Sequence, residues 1–313
     1  MGLESAFPHF TWNLWLDIFR MFQYDFMRNA FLAGTALSIV SGLVGYYVIV
    51  RHQAFAGEAL SDVAFTGAMG GAVLGFSPLA GTIVLTIAGA VAMGSFSQRI
   101  GERDIAIGTV LAWVLGLGVL FLTLFTTHTG GSSGFSGVRA LFGSILSISN
   151  TQMMIIVIVA ALVALTTLII ARPLLFASLD PDVAAARGIP VRLLGLVFMV
   201  LLAVTVAEAM QAVGALLVFA LLLLPAATAH RLAMRPFTGL ALAVVFALVL
   251  TWVGLMIGFY SGLPSSVCIS LLAFVAYAAV VGAYALRQRM GTRQVAHDLE
   301  PASITNGLSD EVK

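Results

Sequence analysis

Residues 151–212 read TQMMIIVIVAALVALTTLIIARPLLFASLDPDVAAARGIPVRLLGLVFMVLLAVTVAEAMQA. Two apolar runs, 151–171 and 193–212, bracket a polar segment at 178–192. Each run is about 20 residues, the length that crosses a hydrocarbon core of roughly 30 Å as a helix. The polar segment has its own helix signals. Asp180 or Asp182 stands at an N-cap, and Gly188 stands where a helix stops. The stretch therefore reads as span, short surface helix, span. Most other connections in the chain are short and lack a capped segment. A polar helix held at a membrane surface is a docking element.

The same pattern continues in both directions. Sixty per cent of the 313 residues are hydrophobic, 9% are charged, and mean hydropathy is +1.06. A soluble domain carries about a quarter charged residues. Lipid offers backbone groups no partner, so spans are helices or closed barrels. Solid apolar runs without alternation exclude the barrel. Nine spans are expected, near 30–50, 55–76, 78–98, 105–125, 151–171, 193–212, 214–230, 237–257 and 264–286, giving an all-α polytopic membrane fold of about 8–9 transmembrane helices. Pro78, Pro236 and Pro264 sit at or just before span starts, where a missing N–H does no harm. Pro225 falls inside a span and should kink it. Residues 1–28, with Trp12, Trp15, Phe19 and Phe22 among charges, read as an interfacial amphipathic segment. Residues 29–288 form the transmembrane domain, and 289–313 a polar, disordered tail.

Basic residues set the orientation. With the C-terminus in the cytoplasm, only Arg20, Arg28 and Arg139 of the 15 Lys and Arg fall outside. The positive-inside rule then places the N-terminus outside and segment 178–192 in the cytoplasm. The single cysteine, Cys268, excludes an internal disulfide or thiolate metal cluster. Gly130-Gly131-Ser132-Ser133-Gly134 lacks the lysine of a phosphate-binding loop, and the only lysine is Lys313. The chain therefore carries no standard P-loop ATPase site of its own, and this glycine run reads as an external loop. Gly67, Gly71 and Gly75, and likewise Gly34, Ser38 and Gly42, recur every four residues, the spacing for close helix packing. The five histidines show no paired ligand spacing.

The intramembrane acids carry more information. Glu58 and Asp62 are one helical turn apart on one face, and Thr66 extends the stripe. An ionised residue at mid-membrane costs roughly 2.5–3.5 kcal/mol on insertion scales, so a pair needs a reason. Two readings fit their position: an ion site, or acids in the first turns near the cytoplasmic interface. Glu208, near the external end of its span, reads as solvated.

Leu179-Asp-Pro-Asp-Val-Ala-Ala-Ala-Arg-Gly-Ile-Pro-Val-Arg-Leu-Leu194 resembles the cytoplasmic signature of the zinc/manganese/iron ABC-importer permeases. Val213-Gly-Ala-Leu-Leu-Val-Phe-Ala-Leu-Leu-Leu-Leu-Pro-Ala-Ala-Thr-Ala229 resembles the family's next span, and Gly262-Leu-Pro-Ser-Ser266 its last external turn. The resemblance covers about 25–288 and implies kinship with cobalamin and siderophore importers. It implies a permease in a bacterial plasma (inner) membrane, surrounded by lipid, working as two copies on a cytoplasmic ABC ATPase dimer. An extracytoplasmic metal-binding protein would deliver the ion. No nucleic acid and no permanently bound cofactor are expected. Asp180, Asp182, Ala185, Ala186, Arg187 and Gly188 would form the coupling helix. Gly57-Glu-Ala-Leu-Ser-Asp62 falls where the family usually has Gly-Asp-x-x-Ser-His, so Glu58 and Asp62 would line the metal path. A carboxylate replaces the usual imidazole, and all-oxygen sites suit hard cations such as Mn²⁺, with Zn²⁺ and Fe²⁺ as alternatives. A chelate permease would want a wide neutral path, and an ion-coupled secondary transporter needs no docking helix.

The orientation makes a direct prediction. A membrane-impermeant maleimide applied outside intact cells should label Ser132→Cys and leave Gly291→Cys untouched; the reverse pattern would overturn it.

Overall fold

The computed structural model describes residues 23–95, 100–128 and 145–284. Residues 1–22 of the expected interfacial segment, the Gly130–Gly134 loop and the tail from 289 lie outside the described residues. Among the described residues there are ten α-helices and no strand: α1 (Asp25–Val50), α2 (Ala54–Val73), α3 (Pro78–Ser95), α4 (Ile100–His128), α5 (Asn150–Leu179), α6 (Pro181–Ala186), α7 (Val191–Val213), α8 (Ala215–Leu232), α9 (Pro236–Ser261) and α10 (Ser265–Tyr284). All but α6 correspond to the nine expected spans. Seven of them are long and apolar enough to cross a membrane by length and composition. The other two are α2, which contains Glu58 and Asp62, and the 18-residue α8.

Local chemistry explains the boundaries. Ser149 caps α5 in a reciprocal box: Gln152 N–H donates to Ser149 Oγ, and Ser149 N–H donates to Gln152 Oε1 at 3.1 Å. Pro78 and Pro236 open α3 and α9, as expected. Gly214, with φ +85, alone separates α7 from α8. Several helices run past the expected bounds, α4 starting five residues early at Ile100, and two of these extensions bear on the bundle. Helix α1 begins at Asp25, so residues 25–28 open the first span. Helix α5 runs through Pro173 to Leu179, eight residues past the expected end. Proline removes only the bond that Ile169 O would receive, and continuing the helix keeps the following backbone groups paired in lipid.

Helix α1 is the axis of the bundle, with 72% of its most apolar window inside, against 17–22% for α3, α4, α5 and α10. It packs against α5, α7, α8 and α9. Its contact with α9 is a seam of small and polar side chains. A Cβ on Gly42 would stand 2.7 Å from Val244 Cα. Ser38 Oγ donates to Gly34 O at 2.6 Å and shares a 2.7 Å hydrogen bond with Thr251 Oγ1. Trp252 Nε1 donates to Thr35 Oγ1 at 2.9 Å. On the other side, Tyr47 Oη donates to Ala171 O of α5 at 2.9 Å.

Helices α2 and α3 form a second close crossing. A Cβ on Gly67 would meet Gly81 O at 2.5 Å, and Gly71 abuts Ser77 O. The expected packing stripe thus holds for Gly67 and Gly71. Gly75 departs from it: α2 has ended, Gly75 has φ +78, and nothing lies within 4 Å of its would-be Cβ. It serves the turn into α3, a conformation that disfavours other residues.

The α1–α9 seam yields a test. Gly42→Val should destabilise the protein by about 1–3 kcal/mol through overpacking against backbone. Gly116→Val, where nothing lies within 4 Å, should leave the melting temperature near the parent's. Thermal unfolding in detergent, followed by size-exclusion, distinguishes the two; equal effects would remove the seam from the account.

Candidate functional site

Helix α2 is buried on almost every side by α3, α4, α7 and α8. From Ala56 to Gly71 its only positions not fully buried are Glu58, Asp62 and Phe65. These recur at helical spacing and make one open stripe, which Phe55 begins one turn earlier. Glu58 is exposed and Asp62 half-buried, and no hydrogen bond or ion pair joins either to another described residue. At 1.5 Å per residue they stand about 6 Å and about 12 Å along α2 from Ala54. Asp62 therefore lies well inside the helix, beyond its first turns. The third expected oxygen, Thr66, turns away from the stripe: it is fully buried and its hydroxyl donates to Val114 O of α4 at 3.2 Å.

Among the described residues no three His, Cys, Asp or Glu side chains gather in one chain. A single copy presents two carboxylates on an open face, and a carboxylate directed at lipid is costly.

The second element is α6. Asp180 is its N-cap, accepting from Val183 N at 3.0 Å, and Pro181 occupies the first helical position. The helix ends in a Schellman arrangement. Gly188 has φ +81, its N–H donates to Ala185 O at 2.9 Å, and Ile189 N–H donates to Ala184 O at 3.1 Å. Ala184 alone faces inward, at 0% exposure. Asp182, Ala185, Ala186, Arg187 and Gly188 all face out. The Arg187 guanidinium carbon sits 5.6 Å from the Phe176 ring centre, holding the helix against the end of α5. The result is a rigid, small-faced knob with both ends closed by hydrogen bonds.

Two residues differ from, or exceed, the sequence reading. Glu208 is buried, not solvated, at 9% exposure. It lies in a groove between α3, α5 and α7, walled mainly by Leu79, Ile83, Ile156, Val159 and Val204, with Gln152 and Gln211 also on the lining. Neither carboxyl oxygen has a hydrogen-bond partner among the described residues. Its closeness to a span end suggested water, but α3 and α5 close over that end of α7. The second is Arg51. The sequence offered it only as a topological charge, while the structure gives its guanidinium contacts on α5 and α7.

The groove sets a prediction. Removing a buried unpartnered polar group is neutral or stabilising, by about 1–3 kcal/mol where the full desolvation penalty is relieved. Glu208→Met should therefore melt at or above the parent temperature. A lower melting temperature would mean that the carboxyl is paired.

The sequence profile of the ABC 3 transport family matches residues 23–283. The manganese transport system membrane protein MntC of Halalkalibacterium halodurans is 30% identical over 268 residues, covering 85% of this chain and 90% of the relative. The high-affinity zinc uptake system membrane protein ZnuB of Haemophilus influenzae is 30% identical over 257 residues, covering 81% of this chain and 97% of the relative. Among solved structures, PsaBC from Streptococcus pneumoniae in complex with Fab superposes with a TM-score of 0.73 at 29% identity, covering 85% of this chain and 94% of that one. A helical bundle built from these spans, together with a family match over most of its length, makes this chain a multi-pass membrane protein belonging to the ABC 3 transport family.

Proposed function

We propose that this chain is the permease of an ATP-driven importer for divalent transition metal ions, with manganese as its principal cargo and zinc as the alternative. The observation that carries the reading is the acid pair on the one open stripe of an otherwise enclosed helix. A second copy laid on that stripe would bring four carboxylates to one path and cover charges that lipid would penalise. Four fixed charges on one divalent ion would bind too tightly for transport, so protonation, water or asymmetry must weaken the site; an ion has to leave as well as arrive. The donors are all oxygen, which suits Mn²⁺ better than the imidazole-preferring Zn²⁺. The names of the relatives agree with both cargoes, MntC with manganese and ZnuB with zinc.

The remaining parts follow from the same reading. Helix α6 is the dock for a separate ATPase, its alanines fitting a groove that a larger side chain would fill. The chain has only Lys313 as a lysine and therefore relies on that partner for hydrolysis. Segment 178–192 lies in the cytoplasm of a bacterial inner membrane, the N-terminus lies outside, and an external binding protein delivers the ion.

Glu58→Gln and Asp62→Asn change charge with little change of shape. Each should abolish Mn²⁺ uptake in cells lacking the parent chain, with co-purification of the ATPase unchanged. A double variant transporting at the parent rate would move the path elsewhere. Asp62→His supplies a nitrogen ligand and should shift preference towards Zn²⁺ in a competition assay; an unchanged preference would put selectivity in the external binding protein.

A further inference from the structure

Arg51 occupies the junction of four elements. It caps α1, its backbone N–H donating to Tyr47 O at 2.9 Å. Its guanidinium leaves α1 altogether. Nη1 donates to Ser178 Oγ, at the end of α5, at 3.2 Å. The Ser178 hydroxyl spends its own proton on Leu174 O at 2.5 Å, so its lone pairs are what face Arg51. The guanidinium carbon lies 5.4 Å from the Phe198 ring centre of α7. Nη2 passes over Gly195, where a Cβ would stand 3.4 Å away. A planar cation fits both roles, hydrogen bonding in plane and stacking on a ring face.

Both neighbours of this contact along the chain are short and stiff. On one side, Ser178 is two residues before Asp180. That residue closes α5, its N–H donating to Phe176 O at 3.1 Å, and it also caps α6. No loop separates the docking helix from the end of α5. On the other side, Arg51 is followed by His52, held at φ +53, and Gln53, whose N–H donates to Val48 O at 2.9 Å. Helix α2 starts at the next residue and carries Glu58 and Asp62 without a break. A displacement of α6 thus reaches Ser178 through continuous backbone, and a displacement of Arg51 reaches the acid pair in the same way. The Arg51–Ser178 hydrogen bond joins the two directly.

We propose that Arg51 is a positioning residue that couples the docking helix α6 to the acid-bearing helix α2 through its hydrogen bond to Ser178 and its stack on Phe198. The proposal rests on the reading of α6 as an ATPase dock and of Glu58 and Asp62 as the ion path. The role assigned to Arg51 requires no contact with the ATPase or the ion.

The test uses the assembled complex with its ATPase subunits in proteoliposomes, with radiolabelled Mn²⁺ uptake and ATP hydrolysis measured in the same vesicles. Arg51→Gln should still assemble and hydrolyse ATP, while ions moved per ATP fall by about tenfold, a typical size for a lost coupling between two sites. Arg51→Lys, which reaches Ser178 but loses the planar stack, should recover part of that ratio. Ser178→Ala should lower it to an intermediate value. The double variant Arg51→Gln/Ser178→Ala should be no worse than Arg51→Gln alone, since both remove one link. A parent ratio in Arg51→Gln, or losses that multiply in the double variant, would overturn the proposal. If Arg51→Gln does not assemble, Ser178→Ala decides alone: an unchanged ratio overturns the link, and a lowered ratio in an assembled complex supports it. Ala185→Trp separates this from the docking reading. If that variant assembles and couples normally, the dock is misplaced whatever Arg51 does; if it uncouples while Arg51→Gln does not, only the present proposal fails.

Discussion

In a hydrocarbon solvent helices gain nothing by hiding apolar surface from one another, so this bundle holds together by closeness of approach. The seams of α1 with α9 and of α2 with α3 show the consequence. Glycines at 42, 67 and 81 let backbones meet where any Cβ would collide. Van der Waals contact over such a seam replaces the hydrophobic drive of a soluble core, and the hydrogen bonds of Ser38 and Thr35 fix the register of the α1–α9 seam. A bundle assembled in this way has little tolerance at its crossings and considerable tolerance on its outer faces. The large apolar side chains exposed on α4 and α5, such as Trp113 and Ile158, therefore need no further partner than lipid.

The same solvent gives polar residues their meaning. Glu58 and Asp62 sit on the open face of a buried helix, where a second surface or water must meet them. Glu208 sits in a largely apolar groove with no hydrogen-bond partner among the described residues. The three acids are chemically alike, and only the surrounding helices separate a pair able to receive a cation from a group that is sealed away.

Much of this was legible in the sequence, and the parts that were not share a cause. The spans were legible because hydrophobic length is a one-dimensional property. The ends of α6 were legible because caps are local: Asp180 and Gly188 act on neighbours three or four residues away. The packing of Gly34, Ser38 and Gly42 was legible from spacing, but Gly75 was not, since only the turn geometry reveals that α2 has already ended. Glu208 was misread because its burial depends on α3 and α5, which are distant along the chain. The role of Thr66 depends on α4 in the same manner. Arg51 was counted as a charge, and nothing in its sequence neighbourhood points to Ser178, 127 positions away.

Pro173 has a mechanical consequence. The backbone bond it removes is already absent, so bending α5 at that point breaks nothing further, whereas bending an ordinary turn would sacrifice a bond in lipid. The long helix therefore has a built-in flexure at a fixed place. Tyr47 grips Ala171 just before it and Arg51 grips Ser178 just after it, both from one rigid face of α1. The one turn of α5 that lacks a backbone bond is thus bracketed by two side-chain anchors from α1, which hold the helix on either side of its weakest point.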